Sequence, residues 1–141
     1  RRFKNFALPV ERIELRGFSA DYLQQYNDVD IALDTYPYTG GLTTMEALLM
    51  GVPVVSWYGS RHGTRFGLSF LSNIGLEMLA AANWQEYVQK ALLLAKNPEL
   101  LSDLRHQIPQ LVKNSPLMDG RSYCQAVEKL YIRLYKKRCL S

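Results

Sequence analysis

Residues 34–55 read DTYPYTGGLTTMEALLMGVPVV, and the fold is decided by how this stretch is parsed. A strand ends at Asp34, the backbone loosens from Tyr36 through Gly41, and a helix is predicted over 42–50 before another strand opens at Pro53. The flanking runs DIALD (30–34) and PVVSWY (53–58) are short and apolar, as buried parallel strands are. A glycine pair at such a turn gives the main chain conformations closed to other residues and brings bare N–H groups near a ligand. The helix start leaves its first amides unpaired and carries the positive end of the helix dipole, which suits a phosphate. Thr43 and Thr44 add hydroxyl groups, and Glu46, one turn on, can accept from a sugar hydroxyl. The alternative is purely structural: the glycines Gly40 and Gly41 make the turn, and a threonine serves as the N-cap. The strand and helix context favours the phosphate reading.

Outward from that stretch, Val10, Ile13 and Leu15 alternate with Glu11, Arg12, Glu14 and Arg16, and predict a first strand over 10–16 closed by Gly17. Ser19 is placed to cap a helix over 20–26, with Leu23 and Tyr26 toward the sheet and Tyr22 near the strand's carboxyl end. Strands at 10–16, 30–34 and 53–58 with helices between them predict an open parallel sheet with helices on both faces. Ligands of such sheets lie beyond the carboxyl ends of the strands, where 17–22, 35–46 and 59–65 converge. In YGSRHGTRFG (58–67), Arg65 is a candidate anion contact. Its other reading is a pairing with a nearby carboxylate, with Thr64 capping a helix over 65–72. Asp34 is expected to orient the loop by accepting its amides.

The remainder is predicted helical. Residues 1–8 read as the tail of a helix ended by Pro9, and Gly75 as the stop of the 65–72 helix. Asn83 caps a helix over 84–96, and Pro98 opens another to about Val112 that Pro109 is expected to kink or split. A last helix runs to about Arg138, with Tyr123, Val127, Leu130, Tyr131, Leu134 and Tyr135 expected to pack into the core.

A chain of 141 residues, 48% of them hydrophobic and 21% charged, fits one soluble α/β domain. The expected division is a nucleotide-binding core over 1–80 and helices over 81–141. The net charge of +4 gathers at the two ends, which argues against a nucleic-acid partner. Cys124 and Cys139 are too few and too distant for a zinc site, and read as reduced cytosolic thiols. The only histidines, His62 and His106, form no metal cluster, and no Ser/His/Asp arrangement or catalytic base is evident. No stretch is apolar enough for a membrane span, and the start, without Met, reads as a cut end.

The run DIALDTYPYTGGLTTMEALLMGVPVVSWYGSRHGTRFGLSFLSNIGL (30–76), with SPLMDGRSYCQAVEKLY (115–131) behind it, resembles the C-terminal part of the O-linked N-acetylglucosamine transferases, especially bacterial members that carry tetratricopeptide repeats. The resemblance covers about 12–135. It implies the partial C-terminal lobe of a two-Rossmann (GT-B type) glycosyltransferase, inverting, metal-independent and without a cofactor. That lobe holds a UDP-sugar while an upstream half brings a protein or peptide acceptor. Residue by residue, the diphosphate-holding threonines fall on Thr43 and on Leu42 or Thr44, and the ribose-holding acid falls on Glu46. The backbone that meets uracil falls on 16–19, which includes Gly17, Phe18 and Ser19, and the side chain that packs on the base falls on Tyr22. The departures are Gly41 where animal enzymes carry His, Leu42 where many relatives carry Thr, and Tyr22 where animal enzymes carry His, although a tyrosine face can still stack. The family's lysine and glutamine that assist the leaving group would lie before Arg1, so no catalytic residue is assigned here and the piece is not expected to turn over alone. Two further readings stay open, a noncatalytic module that retains the fold and a sugar-nucleotide epimerase or phosphorylase-like lobe. An uncovered sheet edge also invites pairing with a second copy.

Overall fold

The computed structural model describes residues 9–139; the helix tail expected over 1–8 lies outside them. Three short strands, β1 (Ala32–Leu33), β2 (Val54–Trp57) and β3 (Ala80–Ala81), form a parallel sheet in the order β1-β2-β3. Ala32 pairs with Val54 and Leu33 with Val55, and Ser56 pairs with Ala80 and Trp57 with Ala81. The crossovers are the helices α1 (Leu42–Leu49) and α2 (Phe66–Asn73). After β3 come α3 (Trp84–Ala95), α4 (Pro98–Lys113) and α5 (Gly120–Cys139). Helix α1 packs on α4, and α2 and α3 pack on β2. The core lies between them, with Leu48, Val52, Val55, Leu71, Leu94, Ile108 and Val112 fully buried. The fold class is the one expected, a Rossmann-like parallel sheet with flanking helices.

The sheet is made of different strands at its ends. Residues 10–16 form no strand. A 3-10 turn at Val10–Arg12 is closed by Arg12 N–H to Pro9 C=O and Ile13 N–H to Val10 C=O, both at 3.1 Å, and coil follows. Leu15 of the expected inward face is 81% exposed. Alternation alone does not make a strand, because the ladder needs a partner whose buried face matches. The third strand is instead the Ala-Ala pair at 80–81, too short to show a period of two. The helix expected over 20–26 is a 3-10 helix over Tyr22–Asp28. Ser19 Oγ accepts from Asp21 N–H at 3.2 Å just ahead of it, and Tyr26 packs on the core, whereas Leu23 is exposed.

Local signals set most helix ends. Asn83 Oδ1 accepts from Glu86 N–H at 2.9 Å, and Asn97 Oδ1 accepts from Leu100 N–H at 3.1 Å with Pro98 at the first helical position. Gly75, at φ +73°, ends α2 where a left-handed residue is required. Thr64 does not cap α2. It lies in the turn His62–Thr64, accepts from Gly59 N–H at 3.2 Å and donates to Arg61 C=O at 2.6 Å, so it braces the loop, and Arg65 precedes α2 without a side-chain cap.

Helix α4 is not split at Pro109. Pro109 deprives the Arg105 carbonyl of its usual i+4 amide, and Gly51, at φ +81°, fits against that carbonyl where a Cβ would stand 2.6 Å away. The apolar face of α5 is not core. The helix fully buries no residue: Val127 is half-buried, and Tyr123, Leu130, Tyr131, Leu134 and Tyr135 are all exposed. Its amphipathic pattern is real, but the described residues leave most of it uncovered. Among the described residues no helix is long and apolar enough to cross a membrane.

Candidate functional site

The loop between β1 and α1 is built on Asp34. Its Oδ1 accepts from Gly40 N–H and its Oδ2 from Ser56 Oγ–H, both at 2.7 Å, while its carbonyl accepts from Tyr87 Oη–H at 2.8 Å. One residue therefore ties the loop, the middle strand and α3 together, the orienting role expected of it. Ser56 is fully buried, and its hydroxyl is satisfied only by turning to Asp34. Above this pair lies Gly67 in the first turn of α2, where a Cβ would stand 2.1 Å from Ser56 Oγ and 2.6 Å from Asp34 Oδ2. A hydrogen is all that fits. Sequence reading passed over Ser56 and Gly67, and took Tyr87 only for part of the apolar stripe of the helix over 84–96. A lone serine inside the apolar run PVVSWY was the available signal for the first, and for Gly67 and Tyr87 there was none.

The rest of the loop is held by its neighbours. Tyr36, followed by a cis peptide bond to Pro37, stacks on Trp57 at 3.7 Å between ring centroids. Buried Thr39 donates its N–H and its hydroxyl to Gly63 C=O, each at 3.2 Å, which joins 35–41 to the 59–65 loop.

The glycines act differently from expectation. Gly41, ahead of α1, has φ −99°, and the left-handed glycines of the described chain are Gly51 and Gly75. Gly40 matters for space: a Cβ there would stand 2.4 Å from Thr44 Oγ1 and 2.8 Å from Thr43 Oγ1. The two hydroxyls thus close around Gly40. Thr44 is buried and Thr43 exposed, while Leu42 is 74% exposed and offers no hydroxyl. No side chain caps α1, and its first backbone bond is Met45 N–H to Gly41 C=O at 3.2 Å. The amides of the first turn and the Thr43 hydroxyl are therefore available to a ligand. A cavity of about 180 Å³ runs along β1 to this point, lined among others by Tyr26, Asp34, Gly40, Thr43 and Thr44.

One turn into α1, the Glu46 carboxylate accepts from Tyr22 Oη–H at 2.6 Å, and the neighbouring Tyr26 Oη–H donates to Thr43 C=O at 3.3 Å. The bond to Glu46, with smaller help from desolvation and the carboxylate's charge, holds the Tyr22 hydroxyl above the usual tyrosine pKa. Tyr22 is still 45% exposed. Beside it a hollow of about 500 Å³ is lined by Arg16, Tyr22, Gln25 and Tyr26 among others. Arg16 is held there by Glu14 at 2.7 Å and Asp28 at 3.0 Å.

The structure brings Tyr22, Gly40, Gly41, Leu42, Thr43, Thr44 and Glu46 together. It does not bring Gly17 and Phe18 to them: Phe18 is wholly exposed, a Cβ on Gly17 would meet nothing within 4 Å, and Ser19 is engaged with Asp21. Arg65 pairs with no carboxylate among the described residues; it donates to Gly59 C=O at 3.0 Å and lies over the Tyr58 ring, 5.7 Å from the centroid. Among the described residues no three His, Cys, Asp or Glu side chains converge as a metal site.

With this geometry stands a family match, since the model of glycosyl transferase family 41 fits residues 13–127. The chain belongs to glycosyl transferase family 41. Among its family 41 relatives, the SPINDLY proteins of Solanum lycopersicum and Arabidopsis thaliana are 41% and 42% identical over 130 residues, 92% of this chain. Both carry the name probable UDP-N-acetylglucosamine–peptide N-acetylglucosaminyltransferase. The enzyme of that name from Caenorhabditis elegans is 31% identical over 108 residues, which is 77% of this chain and 9% of that protein. A solved mutant of the O-GlcNAc transferase of Thermobaculum terrenum superposes with a TM-score of 0.88 at 34% identity, over 97% of this chain and 27% of its own. The chain spans about 14% of the length of the SPINDLY proteins it matches.

Proposed function

We propose that this chain forms part of the UDP-sugar donor site of a glycosyltransferase that transfers N-acetylglucosamine from UDP to Ser or Thr of a protein acceptor. The observation that carries the reading is the uncapped start of α1, where free amides and the Thr43 and Thr44 hydroxyls face one way and Glu46 follows one turn later. A pyrophosphate takes the amides and hydroxyls, and a ribose takes the carboxylate. Tyr22 offers its ring to the base, with the backbone of Gly17, Phe18 and Ser19 closing on the base edge once ligand is present. Arg65 has guanidinium donors beyond the one used on Gly59 and is the candidate second anion contact.

On this reading the chemistry is inverting, with no metal and no cofactor. The acceptor lobe, the leaving-group residues and tetratricopeptide repeats belong to parts of the protein outside these residues, and the protein works in the cytoplasm without nucleic acid or membrane. A second copy pairing at the open edge of β1 is the proposed mode of any self-association.

Calorimetry on the full-length protein tests this, with GDP beside UDP to register the base. UDP binds, and Thr43→Ala and Glu46→Ala each weaken it by about 1 kcal/mol, or about fivefold, as one lost hydrogen bond does. Equal binding after both changes would show that the site has been misplaced. The second reading, a noncatalytic module, is favoured by one observation: Leu42 projects its side chain into solvent at the phosphate turn. No heat with any nucleotide diphosphate at millimolar concentration would support it. Consumption of UDP-sugar without an acceptor would point to an epimerase-like lobe.

A further inference from the structure

The Tyr22–Asp28 helix, which carries the tyrosines that touch α1, has little apolar anchorage beyond Tyr26, which packs on the core. It buries no residue, coil precedes it, and its ion pair from Arg16 to Asp28 is exposed, a kind of contact that contributes little. Its firm anchor is Arg105, distant in sequence on α4. Arg105 Nη1 donates to Val29 C=O at 2.7 Å, and Nη2 donates to Asn27 C=O at 2.9 Å and Tyr26 C=O at 3.1 Å. Tyr26 C=O also accepts from Val29 N–H at 3.2 Å, and all three carbonyls lie at the end of the helix, where a positive charge is favoured. A planar guanidinium meets all three from two separate nitrogens in a fixed fork, whereas an ammonium's three donors radiate from one atom. No carboxylate among the described residues lies within ion-pair distance of Arg105.

The same residue is referenced to α1 through its backbone. Its carbonyl abuts Gly51, just past the end of α1, so closely that a Cβ there would stand 2.6 Å away. From the anchored helix, Tyr22 and Tyr26, one turn apart, reach back to Glu46 and to the Thr43 carbonyl. Arg105 thus closes a circuit that runs from the end of α1, through α4 and the Tyr22–Asp28 helix, to the start of α1.

We propose that Arg105 is a positioning residue for the donor site: its grip on the carbonyls of Tyr26, Asn27 and Val29 holds Tyr22 and Tyr26 against α1 and so aims the Glu46 carboxylate. The proposal rests on reading the start of α1 as the donor site. It is tested in the full-length protein by UDP titration of the wild type, Arg105→Met, Arg105→Lys, the double variant Tyr22→Phe/Tyr26→Phe, and the triple variant that adds Arg105→Met. Arg105→Met should weaken UDP binding about tenfold and Arg105→Lys by less, and the triple variant should lose no more than about a further twofold over the double, because residues acting through one contact do not add. Wild-type affinity in Arg105→Met, or a full additive loss in the triple variant, would overturn the proposal.

Hydrogen exchange gives a second readout that does not need UDP. In Arg105→Met, or in Arg105→Lys should the first not fold, amides of 24–29 and of Met45 and Glu46 should exchange faster while those of 66–73 keep their rates. Unchanged exchange, or uniform acceleration across the chain, would show a contact that is absent or merely stabilising. Should the wild type itself fail to bind UDP, the donor reading falls, and the exchange pattern alone then decides whether Arg105 positions this helix.

Discussion

A methyl group at Gly40 would stand 2.4 Å from Thr44 Oγ1, 2.8 Å from Thr43 Oγ1 and 3.3 Å from Asp34 Oδ1, whereas one at Gly41 would meet nothing within 4 Å. Both positions were read from sequence as sources of backbone freedom. Yet Gly41 has φ −99° and Gly40 is not among the left-handed glycines, so one supplies space and the other only a turn. The two substitutions should therefore part ways. Gly40→Ala should displace the threonine hydroxyls and destabilise the chain by about 1–3 kcal/mol, the range for overpacking, with UDP affinity falling as well. Gly41→Ala should leave the denaturant midpoint within about 0.5 kcal/mol of the parent. Chemical denaturation and UDP titration of the pair check this; equal behaviour would contradict it. At this scale the sequence declares chemistry but not adjacency. The acceptor role of Asp34 could be read from its place at a strand end, while the partners that make it necessary, Ser56 and Tyr87, are 22 and 53 residues away.

Helix α3 is joined to the loop by one bond, from Tyr87 Oη–H to Asp34 C=O at 2.8 Å. Burial first, and the charge of Asp34 second, hold the Tyr87 hydroxyl above the usual tyrosine pKa. The protonated phenol therefore contributes stability fully below the ordinary value near pH 10, and loses it as pH rises through the raised one. Tyr87→Phe should cost about 1 kcal/mol at neutral pH, the usual net value of one hydrogen bond, and should flatten the fall in stability above pH 10. Urea midpoints measured from pH 7 to 11 on the two proteins check both statements. Elements whose ends carry their own signals were legible: the cap Asn83, Pro98 at a first turn and Gly75 at a stop each act within one turn of the chain. The strand expected over 10–16 failed because pairing is a property of two segments. β3 escaped notice because two alanines have no pattern to show, and α4 passes Pro109 because Gly51 makes room beside the orphaned carbonyl.

The molecule as a whole divides into a part that is packed and a helix that is not. Ile108 on α4 is fully buried, whereas Leu130 and Leu134 on α5 are 49% and 51% exposed. Ile108→Ala should cost this chain about 2–5 kcal/mol, and Leu134→Asp should change it by less than about 0.5 kcal/mol. Denaturant midpoints of both variants check this, and a large loss from Leu134→Asp would mean that the helix packs after all. The heptad-like apolar spacing of α5 announced a face that wants cover but not what provides it, and the core was the wrong assumption. The open start of α1 has a further consequence, in heat. A ligand that binds only the folded chain and completes the missing cap adds about 2.7 kcal/mol at a hundredfold excess over its Kd. Warming the protein with one nucleotide sugar after another would then rank candidate donors by the melting point each confers, with no acceptor in hand and no turnover needed.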